Sequence, residues 1–265
     1  VTDILERLPA ERADDVVVID PTSPTPVGFN PLTGPDRPEV TVDGVLATFK
    51  ALFADSWGVR SEEVLTASLL TLARQGGPAA TLAAIPALLT NPAFRRQMTA
   101  DLDDPLGVSA FWAKYEAISP EQQAQTIAPV LNKLQQLVIR PQLRAVLGQA
   151  HPRFAIADIF NRRRIVLVAL NKGIIGAAAA RLLGSLLIGS LWPRILARAG
   201  LPPAQRHLVS VYIDEVHDFI AGIPGDLADA LAQARSLGVA FHLAHQYRAQ
   251  LSPAMRAAID ANVRN

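Results

Sequence analysis

The 265-residue sequence contains no cysteine. That excludes disulfides and any zinc or iron–sulfur site built on thiolates, and it suits a reducing compartment. A marked excess of charge of either sign is also lacking. Twenty-five Lys and Arg against 24 Asp and Glu leave a net charge of +1. With no global basic field, any contact with nucleic acid must come from a local patch or from several subunits facing a common pore. Lysine is scarce, occurring only at Lys50, Lys114, Lys133 and Lys172. The pattern Gly-x4-Gly-Lys-Ser/Thr occurs nowhere in the chain, so the sequence holds no phosphate loop of that kind. Val1 is followed by the charged Asp3, Glu6 and Arg7. This does not read as a secretory leader, and residue 1 reads as a boundary inside a longer protein.

What is present is a globular composition, half apolar and 18% charged. Apolar runs at 165–170, 208–213 and 239–244 read as buried parallel strands, with a fourth at Val16–Ile19. Helical patterns at 177–199, 225–237 and 253–262 alternate with them. Strand and helix in alternation predict an α/β fold with a parallel sheet wrapped by helices. The stretch 42–149 contains no strand pattern. It reads as helices over 42–54, 61–74, 82–89, 93–102, 105–117 and 120–138, with a short piece at 142–147. Ser119-Pro120-Glu121-Gln122 is a helix start, with Ser as cap, Pro at the first position and Gln three residues after the cap. The α/β core, residues 1–40 and 156–265, is therefore expected to be interrupted by an all-α subdomain over 41–155. Six prolines in 21–38 form the extended connection into it. The stretch 174–193 could just span a bilayer. It contains Arg181 and internal glycines and ends on Pro193, and it reads as a buried helix.

The strongest chemical signal is Asp214-Glu215 at the end of the run 208–213. Ligands of open α/β sheets bind at the C-terminal edge of the strands. There one acid can hold magnesium through its water shell and the next can orient the attacking water of a nucleotide hydrolase. The plainer alternative, which the residues favour less, is that Asp214 caps the next helix. Gln246 ends the strand 239–244, where it could sense a γ-phosphate or simply bond loop backbone. Arg235, one turn before that strand, could reach a neighbouring subunit's phosphate or act as an ordinary C-terminal helix charge. The loop 170–176 holds Lys172, Gly173 and Gly176 between strand and helix, and it reads as a tight structural turn. His242 and His245 are three apart on a strand and point to opposite faces, which argues against a shared metal.

At these residues the sequence resembles the coupling-protein branch of the HerA–FtsK superfamily of P-loop ATPases, the TraG/TraD-like proteins of type IV secretion and conjugation. The opening 3–32, Trp57-Gly58-Val59-Arg60, the stretch 164–186, Tyr212-Ile213-Asp214-Glu215 as the Walker B strand, and 234–246 match that family in order and spacing. The resemblance implies a RecA-like core cut off before its phosphate loop (Walker A). It implies an ATP- and Mg2+-dependent motor working as a homo-oligomer, normally a hexamer, on DNA or nucleoprotein. Secretion-channel components would be its partners, at the inner face of the cell membrane. Asp214 takes the magnesium-holding role, Glu215 that of the catalytic acid, Gln246 the sensor position and Arg235 that of the arginine finger. Two rival readings remain. One is a DExH-type helicase, from Asp214-Glu215-Val216-His217. The other is a non-catalytic scaffold or docking module of a secretion channel, which a missing phosphate loop upstream of Val1 would favour.

Overall fold

A computed structural model describes residues 1–34, 37–219 and 227–262. The chain opens with α1 (Thr2–Leu5), a 3-10 turn (Ala10–Asp15) and β1 (Val16–Ile19). Only helices follow among the described residues up to 161: α2 (Pro38–Leu52), α3 (Val59–Gln75), α4 (Ile85–Thr90), α5 (Pro92–Thr99), α6 (Val108–Ala117), α7 (Pro120–Ile139), α8 (Pro141–Leu147) and α9 (Asp158–Asn161). Then come β2 (Ile165–Val168), α10 (Lys172–Ile175), α11 (Ala177–Ala197), β3 (Val209–Ile213), α12 (Leu227–Ser236), β4 (Val239–Leu243) and α13 (Pro253–Asn262).

Local chemistry sets several boundaries. Ser119 and Gln122 form the reciprocal capping box at the start of α7, with Pro120 at the first turn. Asn91 caps α5 by accepting from the N–H groups of Ala93 and Phe94. The helix expected over 105–117 begins only at Val108. Asp104 accepts the Val108 N–H at 3.2 Å and also pairs with Arg74 at 2.6 Å, which fixes the residues before it as a turn. The helix expected over 82–89 divides into a 3-10 turn (Leu82–Ala84) and α4, whose first turn carries Pro86. Of the helix expected over 225–237, positions 225 and 226 lie outside the described residues.

The sheet differs from the single parallel layer expected. Among the described residues there are two separate two-stranded sheets, β1–β2 and β3–β4, both parallel. β1 and β2 pair Val16 with Ile165 through Ile19 with Val168. β3 and β4 pair Val209 with Val239 through Ile213 with Leu243. Among the described residues no ladder joins β2 to β3; Leu170, just past β2, packs its side chain into the cluster of Ile213, Val216, Phe219 and Leu251. The strands are also less buried than their apolar runs suggest. β3 alternates, with Ser210 and Tyr212 exposed, the latter at 75%. No second helical layer covers that face among the described residues, so the alternation of a one-sided sheet appears.

The main core is continuous from Ile19 and Phe29 through α3, α4 and α7 to α11. α11 is buried on most of its surface, including Leu182, Leu183, Leu186 and Leu187, which explains its uniform apolarity without a bilayer. No described helix is long and apolar enough to cross a membrane. Gly184 lets Phe219 and Leu170 approach the α11 backbone: a Cβ there would lie 2.4 Å from the Phe219 ring and 2.9 Å from Leu170. α11 thereby supports the loops that follow both β2 and β3.

Candidate functional site

The site is built at the C-terminal edge of β3 and β4. Their ladder continues past the strands: the Ala244 N–H donates to the Ile213 carbonyl at 2.9 Å and the Val216 N–H to the Ala244 carbonyl at 3.1 Å. Between these two bonds the chain turns sharply. Glu215 adopts left-handed backbone angles, φ 49° and ψ 48°, a conformation that costs a non-glycine residue roughly 1–2 kcal/mol. Asp214 Oδ1 steadies the turn by accepting the Glu215 N–H at 2.9 Å. Strain held at a strand end in this way accompanies functional sites.

The turn carries the Glu215 carboxylate into a network. Gln246, from the loop after β4, donates through Nε2 to Glu215 Oε1 at 3.0 Å. Lys172, at the first residue of α10, bonds both Glu215 Oε2 and Asp218 Oδ2. His217 Nε2 lies 3.8 Å from Asp218 Oδ2, and its Nδ1 is buried with no described partner. The Gln246 backbone is held in turn, its N–H donating to Gln250 Oε1 at 3.1 Å. Lys172, through its hydrogen bond and its charge, holds the Glu215 carboxyl below the usual carboxylate range, with Gln246 adding to the effect. Asp218 and Glu215 together raise the Lys172 ammonium above its ordinary value. Glu215 is therefore ionised at neutral pH.

Asp214 is exposed, and its second oxygen accepts no bond from a described residue. Magnesium keeps several waters and takes one or two carboxylates, so an exposed, half-committed carboxylate at a strand edge suits it.

Of the four residues singled out in the sequence, Glu215 and Gln246 are in contact and Asp214 adjoins them. Arg235 is apart. It sits exposed in the last turn of α12, and its side chain has no hydrogen bond or ion pair with a described residue. His242 stacks on Tyr212 across the β3–β4 ladder, centroids 4.2 Å apart and rings 11° from parallel. Two members of the network were missed: Lys172, whose loop reads as a structural turn, and Asp218. The strand-edge rule applied to β2 as well as β3 would have flagged Lys172.

No family model matches the sequence, and no curated protein matches it either. The fold is that of bacterial conjugative coupling proteins of known structure. Over 92% of its length the chain resembles TrwB. The TM-score is 0.61 at 15% identity to the unbound monoclinic form of TrwBdeltaN70, covering 56% of that chain. It is 0.60 at 16% identity to the trigonal form in complex with sulphate, covering 57% of that chain. It is 0.59 at 15% identity to TrwB in complex with the non-hydrolysable ATP analogue ADPNP, again covering 57% of that chain. At such identity the likeness is one of fold, and the chain spans little more than half the length of the structures it resembles.

Proposed function

We propose that this chain is part of the RecA-like motor domain of a conjugative or type IV secretion coupling protein, which hydrolyses ATP to move DNA or nucleoprotein. The observation that carries the reading is the meeting of Glu215 and Gln246 at 3.0 Å beside Asp214, at the C-terminal edge of a parallel strand pair. It is supported by a fold shared with a coupling protein solved with an ATP analogue. In this reading residues 1–40 and 156–265 form the ATPase core and 41–155 the helical subdomain.

Asp214 would hold Mg2+ through its water shell, and the ion would neutralise charge on the phosphates. Glu215, ionised and fixed by its turn, accepts a hydrogen bond from the attacking water and orients it. Gln246, already bonded to Glu215, reports the γ-phosphate to the β4 side. Arg235, exposed and uncommitted, suits contact with a neighbouring subunit's phosphates in a ring, which we take to be a hexamer. The full-length protein would work in the cytoplasm at the inner face of the membrane, against secretion-channel components.

The test is ATP turnover by the full-length protein, with and without DNA, compared with its Glu215→Gln variant. The motor reading expects DNA-stimulated turnover that Glu215→Gln abolishes while ATP still binds. Absence of turnover in a folded, oligomeric wild type would leave the alternative, a non-catalytic docking module.

A further inference from the structure

Lys172 is placed by the turn that carries it. It opens α10, a helix of four residues, and a single turn is not stable in water without outside support. At its start the Asn171 side chain accepts the Gly173 N–H at 3.0 Å. Ile175, 2% exposed, anchors the turn in the main core. At its other end the support comes from the helical half of the chain. Arg140, at the junction of α7 and α8, donates through Nη1 to the Ile175 carbonyl at 2.6 Å. An arginine there satisfies a carbonyl that the helix leaves free and suits the negative end of its dipole. Gly176 makes the approach possible: its φ is 84°, and a Cβ on it would lie 2.8 Å from Arg140 Nη1 and 3.1 Å from Nη2. The Gly176 N–H in turn donates to the Lys172 carbonyl at 2.9 Å. One hydrogen-bonded turn therefore has Arg140 fixed to its C-terminal end and, at its start, the ammonium that bonds Glu215 and Asp218.

The Arg140 end is firmly held. Pro141 follows it and restricts its backbone to extended angles, seen as φ −90° and ψ 110°. Arg140 also closes α7, 20 residues and about 30 Å long, which is tied to the core by Val130, Leu134 and Leu137. We propose that Arg140 is a positioning residue for the acid site: through α10 it sets where the Lys172 ammonium stands, and through Lys172 it holds the Glu215 carboxylate in place. A displacement at the C-terminal end of α7 then reaches Glu215 through one turn of backbone and one ion pair. The consequence for hydrolysis rests on the nucleotide-hydrolase reading above, whereas the placement of Lys172 by Arg140 does not. A contiguous set of contacts is a route, and a measured coupling is what establishes it.

Two measurements separate the placement from its consequence. In this chain, the proton exchange of 15N-labelled lysine ammonium groups is followed by nuclear magnetic resonance, with circular dichroism confirming the fold of each variant. Exposed Lys114, which has no hydrogen bond or ion pair with a described residue, is the reference. Lys172 is expected to exchange about tenfold more slowly than Lys114, as charge-assisted hydrogen bonds imply. Arg140→Ala should remove most of that difference, and Arg140→Lys, which keeps an N–H donor, should restore it. Unchanged protection of Lys172 in a folded Arg140→Ala overturns the proposal. Should Arg140→Ala fail to fold, the reciprocal effect decides: Lys172→Met must shift the Arg140 Nε–H signal, assigned from its loss in Arg140→Lys, and an unmoved signal refutes the link. In the full-length protein, Arg140→Ala, Lys172→Met and the double variant should each lower kcat about tenfold with the KM for ATP unchanged. Residues acting in series give losses that do not add, so losses that multiply in the double variant show Arg140 acting by another route and sink the proposal. A full-length wild type without turnover removes the hydrolase reading alone, and the ammonium exchange still decides whether Arg140 places Lys172.

Discussion

Replacing Gly184 by alanine sets two opposing effects against each other. Gly184 lies inside α11, where alanine is favoured over glycine by about 1 kcal/mol through backbone entropy. The new methyl would lie 2.4 Å and 2.7 Å from two carbons of the Phe219 ring and 2.9 Å from Leu170 Cδ1, whereas apolar carbons rest about 3.5–4.0 Å apart. The ring must therefore retreat by about 1 Å. Phe219 is 7% exposed and packs with Ile213, Val216 and Leu251, so the retreat displaces other core side chains. Overpacking of this kind costs typically 1–3 kcal/mol, and it outweighs the helix gain. Gly184→Ala is expected to destabilise by about 1 kcal/mol in urea unfolding followed by circular dichroism. Gly200→Ala is the control, since nothing lies within 4 Å of its ideal Cβ. Phe219→Leu combined with Gly184→Ala should relieve part of the clash, giving a coupling of about 0.5–2 kcal/mol. Stabilisation of Gly184→Ala by the full helix-propensity amount, with no coupling to Phe219, would refute the reasoning. The same contact bears on the site, because Phe219 is one residue from Asp218.

Two further outcomes follow from single features. Ser119→Ala removes the capping box of α7 and should cost about 1 kcal/mol, seen as an earlier urea midpoint with an unchanged m-value. His207 is held below its ordinary pKa by burial and by the charges of Arg198 and Arg163. The unfolded chain therefore binds a proton that the folded chain resists, so stability is present above about pH 6.5 and falls as pH drops below it. His207→Gln should flatten that limb below about pH 6.5 in a pH series of thermal melts, and an unchanged slope would show that burial of His207 is not its cause.

The helical half of the chain was legible because its determinants are local. The apolar periodicity of α3 and α7, the Ser119–Gln122 box and the Asn91 cap all lie within a few residues of the structure they specify. Asp214 and Glu215 were legible for a related reason: an apolar run that ends abruptly in acids marks a strand edge. The run at 208–213 misled about burial. Exposed Leu208 and Tyr212 look the same in sequence whether a second layer covers them or not. The position of Lys172 at a strand edge was legible, but its partners were not, because they lie 43 and 46 residues away and a lysine beside glycines suits a surface turn equally well.

The sequence alone determined where strands and helices form, which two acids end a strand, and that the chain carries no phosphate loop of the Gly-x4-Gly-Lys-Ser/Thr kind. Those properties depend on side-chain periodicity, capping and adjacency, which act over a few residues. The tertiary structure decided that the four described strands pair as two ribbons, that Glu215 turns left-handed toward Gln246, and that Lys172 reaches across the gap to Glu215 and Asp218. These follow from how α11 and the Phe219 cluster bring distant loops together. Such contacts depend on the packing of the whole core, which no short stretch of sequence encodes.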